Sequence, residues 1–187
     1  MSIEALLESC PDYAKDLKLN LGTLLRQPDL TEQQIWGSAV AAAMAGRNPA
    51  VIAAVLEDAG AHLSEQALFA AKAAAAVMGM NNIFYRFRHF SSNPKYAETP
   101  ARLRMQIMRT HGVDPTDFEL WCLVASAVNG CAACVDSHEK ALRERGLTEE
   151  SIIAAVRLAS VVSALSGVMA AEAVTPVPAS YTNSEVQ

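Results

Sequence analysis

No stretch of the chain alternates apolar and polar side chains over about five residues with enrichment in β-branched types, the pattern typical of half-buried β-strands. Alanine, leucine, methionine and glutamate dominate the sequence instead. These residues favour helices, and recognisable helix starts recur along the chain. The sequence therefore predicts an all-α fold of about eight helices. They are expected near residues 13–27, 31–45, 49–60, 65–86, 102–111, 116–128, 131–145 and 149–172.

The helix starts are predicted from capping residues. Two pairs have the three-residue spacing of a capping box, in which the first side chain and the last protect each other's backbone N–H groups: Thr31 with Gln34, and Thr116 with Glu119. Other starts combine a capping residue with a suitable first turn: Asn48 before Pro49, Ser64 before Glu65, and Thr148 before Glu149.

The composition is that of a globular protein with one domain. The chain has 187 residues, of which 51% are hydrophobic, and its net charge of −5 is far from that of a general nucleic-acid binder. The apolar stretches 67–80 and 152–173 are interrupted by charged residues, so we expect core or interface helices and no membrane span. Without a signal-like N-terminus, we predict a cytoplasmic protein. The domain is expected over 1–173, followed by a mobile tail over 174–187.

The two halves of the chain resemble each other at corresponding positions. Gln34-Ile35-Trp36 lies 85 positions before Glu119-Leu120-Trp121, and each segment leads into a helix of small residues. Farther along, Leu63-Ser64-Glu65-Gln66 corresponds to Leu147-Thr148-Glu149-Glu150. The pattern predicts a degenerate repeat of a helical unit, with halves at about 31–90 and 116–173.

The strongest functional signal is the pair Cys131 and Cys134. Asn129-Gly130 precedes it as a helix stop, so both cysteines are expected in the first turn of the next helix. The positive end of a helix lowers the pKa of a thiol and so favours the reactive thiolate. His138 follows Cys134 by four residues and shares its helix face, where it could act as a base. This spacing indicates Cys134 as the attacking thiolate and Cys131 as the resolving thiol.

Glu119 has two compatible interpretations. It can close the capping box with Thr116, or the turn at Asn129-Gly130 can bring it back towards His138. In the second arrangement its carboxylate would hold the imidazole and pass protons.

Other polar features have simpler interpretations. The Cys-x-x-Cys-x-x-x-His cluster could bind zinc, but a closed structural site needs a fourth ligand with suitable spacing. Cys10 and Cys122 are expected to be buried small residues. The basic segment 86–109 is expected to be a solvated face, with docking of an acidic protein partner as the alternative.

Several segments together resemble one known family. They are Tyr13-Ala14-Lys15-Asp16-Leu17-Lys18-Leu19-Asn20, Met78-Gly79-Met80-Asn81-Asn82, Glu119-Leu120-Trp121, Asn129-Gly130-Cys131-Ala132-Ala133-Cys134 and Ser137-His138-Glu139. The resemblance is to the AhpD family of alkyl hydroperoxide reductases, within the carboxymuconolactone decarboxylase-like superfamily. It covers nearly the whole chain except the tail. Family members can carry a histidine directly before the second cysteine, where this chain has Ala133.

The resemblance implies an all-α homotrimer with peroxidase activity and no bound cofactor or metal. Dihydrolipoamide, carried by a 2-oxoacid dehydrogenase component, would be the external reductant, and the peroxiredoxin AhpC would be the protein partner. Cys134 would become a sulfenic acid on reaction with a hydroperoxide, and Cys131 would then close the disulfide. Glu119 and His138 would form a proton relay.

Two other functions stay open from the sequence. One is a redox relay protein without significant peroxidase activity of its own. The other is a cofactor-free decarboxylase of the same superfamily, although such an enzyme does not need the Cys131–Cys134 pair.

Overall fold

The computed structural model describes residues 1–175. These residues form ten α-helices and a short 3₁₀ helix (Asp12–Ala14), with no β-strand among them, so the all-α prediction is confirmed. The α-helices are α1 (Ile3–Glu8), α2 (Lys15–Leu24), α3 (Glu32–Gly46), α4 (Pro49–Ala59), α5 (Glu65–Phe90), α6 (Lys95–Glu98), α7 (Ile107–Thr110), α8 (Pro115–Val128), α9 (Ala132–Glu144) and α10 (Glu149–Val174). The predicted tail falls mostly outside the described residues, and Val174 still belongs to α10.

The predicted number of helices was too low because the sequence patterns did not reveal two short helices, α1 and α6. The six-residue α1 begins after Ser2, whose hydroxyl accepts the backbone N–H of Ala5. The four-residue α6 also carries no periodic pattern. In contrast, the helix predicted over 102–111 is reduced to α7, and Arg102 at its predicted start adopts a left-handed backbone with φ of 51°, which an α-helix does not allow.

Most predicted caps are present. Thr31 and Gln34 form the reciprocal capping box of α3, and Asn48, Ser64 and Thr148 cap α4, α5 and α10. The capping box predicted at Thr116 was wrong. The helix α8 begins earlier, with Pro115 as its first residue and the Asp114 carboxylate accepting the Thr116 N–H at 2.7 Å. Proline at the first position fixes the start there because its φ is already helical.

Six of the α-helices form two units of three helices each, and the helix lengths follow the same order in both units. The helices α3, α4 and α5 have 15, 11 and 26 residues, and α8, α9 and α10 have 14, 13 and 26. The first helix of each unit packs against the last helix of the other, and α3 and α8 pack against each other at the centre. This arrangement agrees with a repeated helical unit.

The central contact depends on a glycine. Trp36 and Trp121 occupy corresponding positions and are both buried, and Trp121 is completely inaccessible. The Trp121 indole lies directly against Gly37 of α3, in the space that a Cβ atom at that residue would occupy. Gly37 therefore permits the close approach of α3 and α8.

The helices α5 and α10 are long and apolar enough to cross a membrane by length and composition alone. Half of the most apolar window of each is buried within the fold, where α5 packs on α3 and α8, and α10 packs on α3, α2 and α8. The core helix of a soluble protein can be equally long and apolar, so length and composition are weak evidence for a membrane span.

Candidate active site

The turn between α8 and α9 positions the cysteine pair. Gly130 ends the turn after α8 with φ of 68°, a conformation that glycine adopts without a steric penalty. Cys131 then stands at the N-cap of α9, and its N–H donates to the Ser126 carbonyl at 3.1 Å. Cys134 is the third residue of α9, within the first turn. The expected placement of both cysteines at a helix N-terminus is thus observed.

A polar network from α5 holds this turn. Arg86 donates to the carbonyl oxygen of Asn129 at 2.6 Å. The Asn129 amide donates to the Asn82 Oδ1 at 3.0 Å, and the Asn82 amide donates to the hydroxyl of Ser126 at 2.9 Å. Sequence reasoning did not find this network. Its one local signal was the Asn81-Asn82 pair inside an apolar helix.

Cys131 and Cys134 are joined as a disulfide, with their Cα atoms 5.3 Å apart. Cys131 is 1% exposed and Cys134 is 6% exposed. Only Cys134 of the two lines the adjacent cleft. A small oxidant that enters the cleft therefore meets Cys134 first.

His138 lies one turn after Cys134 and is buried. Its Nδ1 is 2.6 Å from the Glu119 carboxylate, and its Nε2 is 3.2 Å from the Met78 sulfur. When the Glu119 carboxylate is ionised it can only accept, and Nδ1 of His138 is then the donor in this contact. Of the two compatible interpretations of Glu119, the contact with His138 is observed, whereas the capping box with Thr116 was wrong because Asp114 caps α8. The two cysteine sulfurs are not among the hydrogen-bond partners of His138 in the disulfide form.

The cleft beside the disulfide has a volume of about 390 Å³. Its walls come from α5, α9 and the segment around α7. The lining residues are Met78, Asn81, Tyr85, Met105, Met108, Ala133, Cys134, Ser137 and His138. Three methionines and a tyrosine make one part of the wall apolar and adaptable, while Asn81, Ser137 and His138 supply polar atoms.

The remaining cysteines lie outside this cleft. Cys122 is completely buried, and burial raises its pKa well above the usual value, with the charge of Glu119 adding to the effect. Cys10 is half-buried, and partial burial likewise raises its pKa. Both therefore stay protonated at neutral pH. Within residues 1–175, no group of three or more histidine, cysteine or acidic side chains is arranged to hold a metal ion.

Comparison with known proteins gives one consistent family. The carboxymuconolactone decarboxylase family matches residues 94–175, the part of the chain that contains the cysteine pair. An alkyl hydroperoxide reductase AhpD of Solibacter usitatus is 64% identical over 173 residues, covering 92% of this chain and 98% of the relative. The AhpD proteins of Acidobacterium capsulatum and Maricaulis maris are 62% and 54% identical, covering 93% and 92% of this chain and 96% and 99% of the relatives.

The chain thus belongs to the AhpD family of alkyl hydroperoxide reductases, and it is an enzyme of the oxidoreductase class. The family resemblance in the sequence is confirmed.

Proposed function

We propose that this protein is a thiol-dependent alkyl hydroperoxidase that uses Cys134 as the peroxidatic thiolate and Cys131 as the resolving thiol. The observation that carries the proposal is the position of Cys134, which lines the cleft at the start of α9 and is bonded to Cys131 behind it. The Glu119–His138 pair beside it supplies a route for protons. The AhpD relatives are named alkyl hydroperoxide reductases, which agrees with a hydroperoxide as the substrate.

The two electrons that reduce the hydroperoxide come from the two cysteine thiols, which become a disulfide. The Cys134 thiolate attacks the distal oxygen of the hydroperoxide, so that an S–O bond forms and the O–O bond breaks. The leaving alkoxide takes a proton through His138 and Glu119, or from the Cys131 thiol. The Cys131 sulfur then attacks the Cys134 sulfenic acid, and the disulfide forms as water leaves.

The disulfide must then be reopened by an external dithiol, for which we propose dihydrolipoamide on a 2-oxoacid dehydrogenase component. Its thiolate forms a mixed disulfide, and its second thiol completes the exchange. The reduced pair would also regenerate the peroxiredoxin AhpC. The proposal further includes a cytoplasmic homotrimer without a bound cofactor or metal, and no nucleic-acid or membrane partner.

Thiol mapping after a single turnover tests this function. The protein is fully reduced, treated with one equivalent of an alkyl hydroperoxide and analysed by mass spectrometry, and dihydrolipoamide is then added. We expect a Cys131–Cys134 disulfide that dihydrolipoamide reopens, and no reaction in the Cys134→Ser variant. Four unreacted thiols in the wild type would contradict the proposed peroxidase function and would favour a redox relay protein or a decarboxylase instead.

A further inference from the structure

Asn81 is a buried polar residue whose structural role the fold does not explain. It lies on α5, is only 5% exposed, and its Oδ1 has no hydrogen-bond partner among the described residues. Its neighbour Asn82 is also buried, but both atoms of its amide are hydrogen-bonded, to Ser126 and Asn129. An acceptor left without a donor in the interior costs free energy. Asn82 therefore serves the fold, whereas Asn81 weakens it.

Asn81 lines the same cleft as Cys134 and His138. Among residues 1–175, no hydrogen bond fixes its carboxamide in one orientation, so a half-turn about the last side-chain bond exchanges its oxygen and nitrogen without breaking a hydrogen bond. The group can thus offer an acceptor or a donor to a molecule in the cleft. An unsatisfied polar side chain beside a reactive cysteine is the arrangement expected of a ligand-binding group.

We propose that Asn81 binds the peroxide group of the substrate by accepting its O–H. This inference rests on the proposed peroxidase function and names how the substrate is oriented. A hydroperoxide carries its proton on the distal oxygen, which is the atom that the Cys134 thiolate attacks. A hydrogen bond to that proton therefore fixes the oxygen that must react. Asn81 takes part in no bond change, and the electrons pass only between sulfur and oxygen.

The rest of the cleft indicates where the carbon skeleton of the substrate would lie. Tyr85, Met105 and Met108 form its apolar wall, and flexible thioether side chains adapt to irregular shapes. An organic hydroperoxide with an apolar group fits this division, with its O–O–H towards Asn81 and its carbon skeleton against the methionines. Hydrogen peroxide can make the hydrogen bond to Asn81, but it has no carbon skeleton to pack against the methionines.

Rapid-mixing kinetics of the reduced protein test this assignment. Oxidation of Cys134 is followed with cumene hydroperoxide and with hydrogen peroxide, in the wild type and in the variants Asn81→Leu, Asn81→Ala and Met105→Ala. Losing one hydrogen bond is expected to slow both Asn81 variants about tenfold with either peroxide. Met105→Ala is expected to slow the reaction with cumene hydroperoxide selectively.

Two further readouts separate substrate binding from damage to the fold. Reduction of the disulfide by dihydrolipoamide involves no peroxide, so its rate is expected to change far less than the rate of Cys134 oxidation in the Asn81 variants. Their thermal midpoint is expected to stay equal or rise, whereas Asn82→Leu is expected to lower it because Ser126 and Asn129 lose their partner.

The outcomes distinguish this inference from the proposed function. A wild type that does not react with either peroxide overturns both. A wild type that reacts, with Asn81 variants that react equally fast, overturns the role of Asn81 alone. The same conclusion follows if the Asn81 variants lose peroxide reaction and disulfide reduction to the same extent, since that result indicates a structural role.

Discussion

Glu119 and His138 are 19 positions apart in the chain and are joined by a 2.6 Å contact between the carboxylate and Nδ1. The contact connects α8 to α9 across the turn that precedes the cysteine pair. It fixes which nitrogen of the imidazole carries the proton and where the ring points. The side chains are 21% and 9% exposed, so solvent screens this pair less than it would a surface pair.

Replacing Glu119 tests the value of this contact. In Glu119→Gln the neutral amide no longer stabilises a positive charge on the imidazole, and proton transfer to the leaving oxygen becomes less efficient. We expect oxidation of Cys134 by an alkyl hydroperoxide to slow by about tenfold or more. The measurement is the second-order rate constant of the reduced protein under rapid mixing.

The matched control is Glu150→Gln, which removes an exposed carboxylate on α10. Its rate constant is expected to equal that of the wild type, while the loss of a charge from the first turn of α10 should cost no more than about 1 kcal/mol of stability. A Glu119→Gln protein that unfolds more easily but reacts normally per folded molecule would assign Glu119 a structural role only.

The local parts of this site were predictable from the sequence, because they depend on neighbouring residues. Gly130 marks the turn, the helix after it contains Cys134, and His138 follows at the spacing of one helical turn. The start of α8 was misplaced because Thr116 and Glu119 fit a capping box, while Asp114 and the proline after it define the true start. Two helix-start patterns overlapped there, and spacing alone could not separate them.

The contacts contributed by α5 could not be predicted in this way. Met78, Asn82 and Arg86 reach the site from the other repeat unit, some forty to sixty positions away in the sequence. Only the packing of α5 against α8 and α9 brings them there. Such residues carry no spacing relationship to the cysteines, so their role follows from the fold and not from a local pattern.

The two cysteines are expected to behave differently when each is replaced. Cys134→Ser removes the sulfur that lines the cleft, so the reduced variant should not react with the hydroperoxide. Cys131→Ser keeps that sulfur and should form one sulfenic acid, which dimedone labelling and mass spectrometry detect, but it cannot close the disulfide. The reverse pattern, with only Cys134→Ser reacting, would exchange the two roles.

Met78 is expected to position the imidazole from the side opposite Glu119. Its sulfur lies 3.2 Å from Nε2 of His138, where it can accept a hydrogen bond from the imidazolium form of the ring, and leucine has a similar volume but offers no acceptor. Met78→Leu should therefore change the free energy of unfolding by less than about 1.5 kcal/mol while slowing Cys134 oxidation several-fold. Chemical denaturation and rapid mixing measure the two effects. An unchanged oxidation rate would limit Met78 to packing.

Gly37 is expected to be the least replaceable glycine of the core. A methyl group there overlaps the buried Trp121 indole, which has no room to move, so Gly37→Ala should cost about 2 kcal/mol or more of stability. Gly22→Ala is the control, because its Cβ would meet only the flexible end of Arg26 at 3.6 Å. That variant should be as stable as the wild type or slightly more stable, by about 0.5 kcal/mol. Equal stability of both variants would contradict the close contact of α3 and α8.

The N-cap of α8 should make stability depend on pH in the acid range. The N–H groups at the start of the helix, that of Thr116 first, lower the pKa of Asp114 below its usual value. A carboxyl group whose pKa is lower in the folded state stabilises that state at every pH above its unfolded pKa of about 3.9. This stabilisation is lost as the pH falls through the folded pKa.

We expect Asp114→Ala to cost about 1 kcal/mol at pH 7, and the difference from the wild type to shrink below about pH 4. Asp114→Asn keeps a capping oxygen that does not titrate, so at pH 7 its stability should lie between those of Asp114→Ala and the wild type, and it should lack this acid-dependent loss. Urea denaturation at pH 7 and pH 3 measures all three proteins. A deficit in Asp114→Ala that is equally large at both pH values would show that the ionised carboxylate is not the source of the stabilisation.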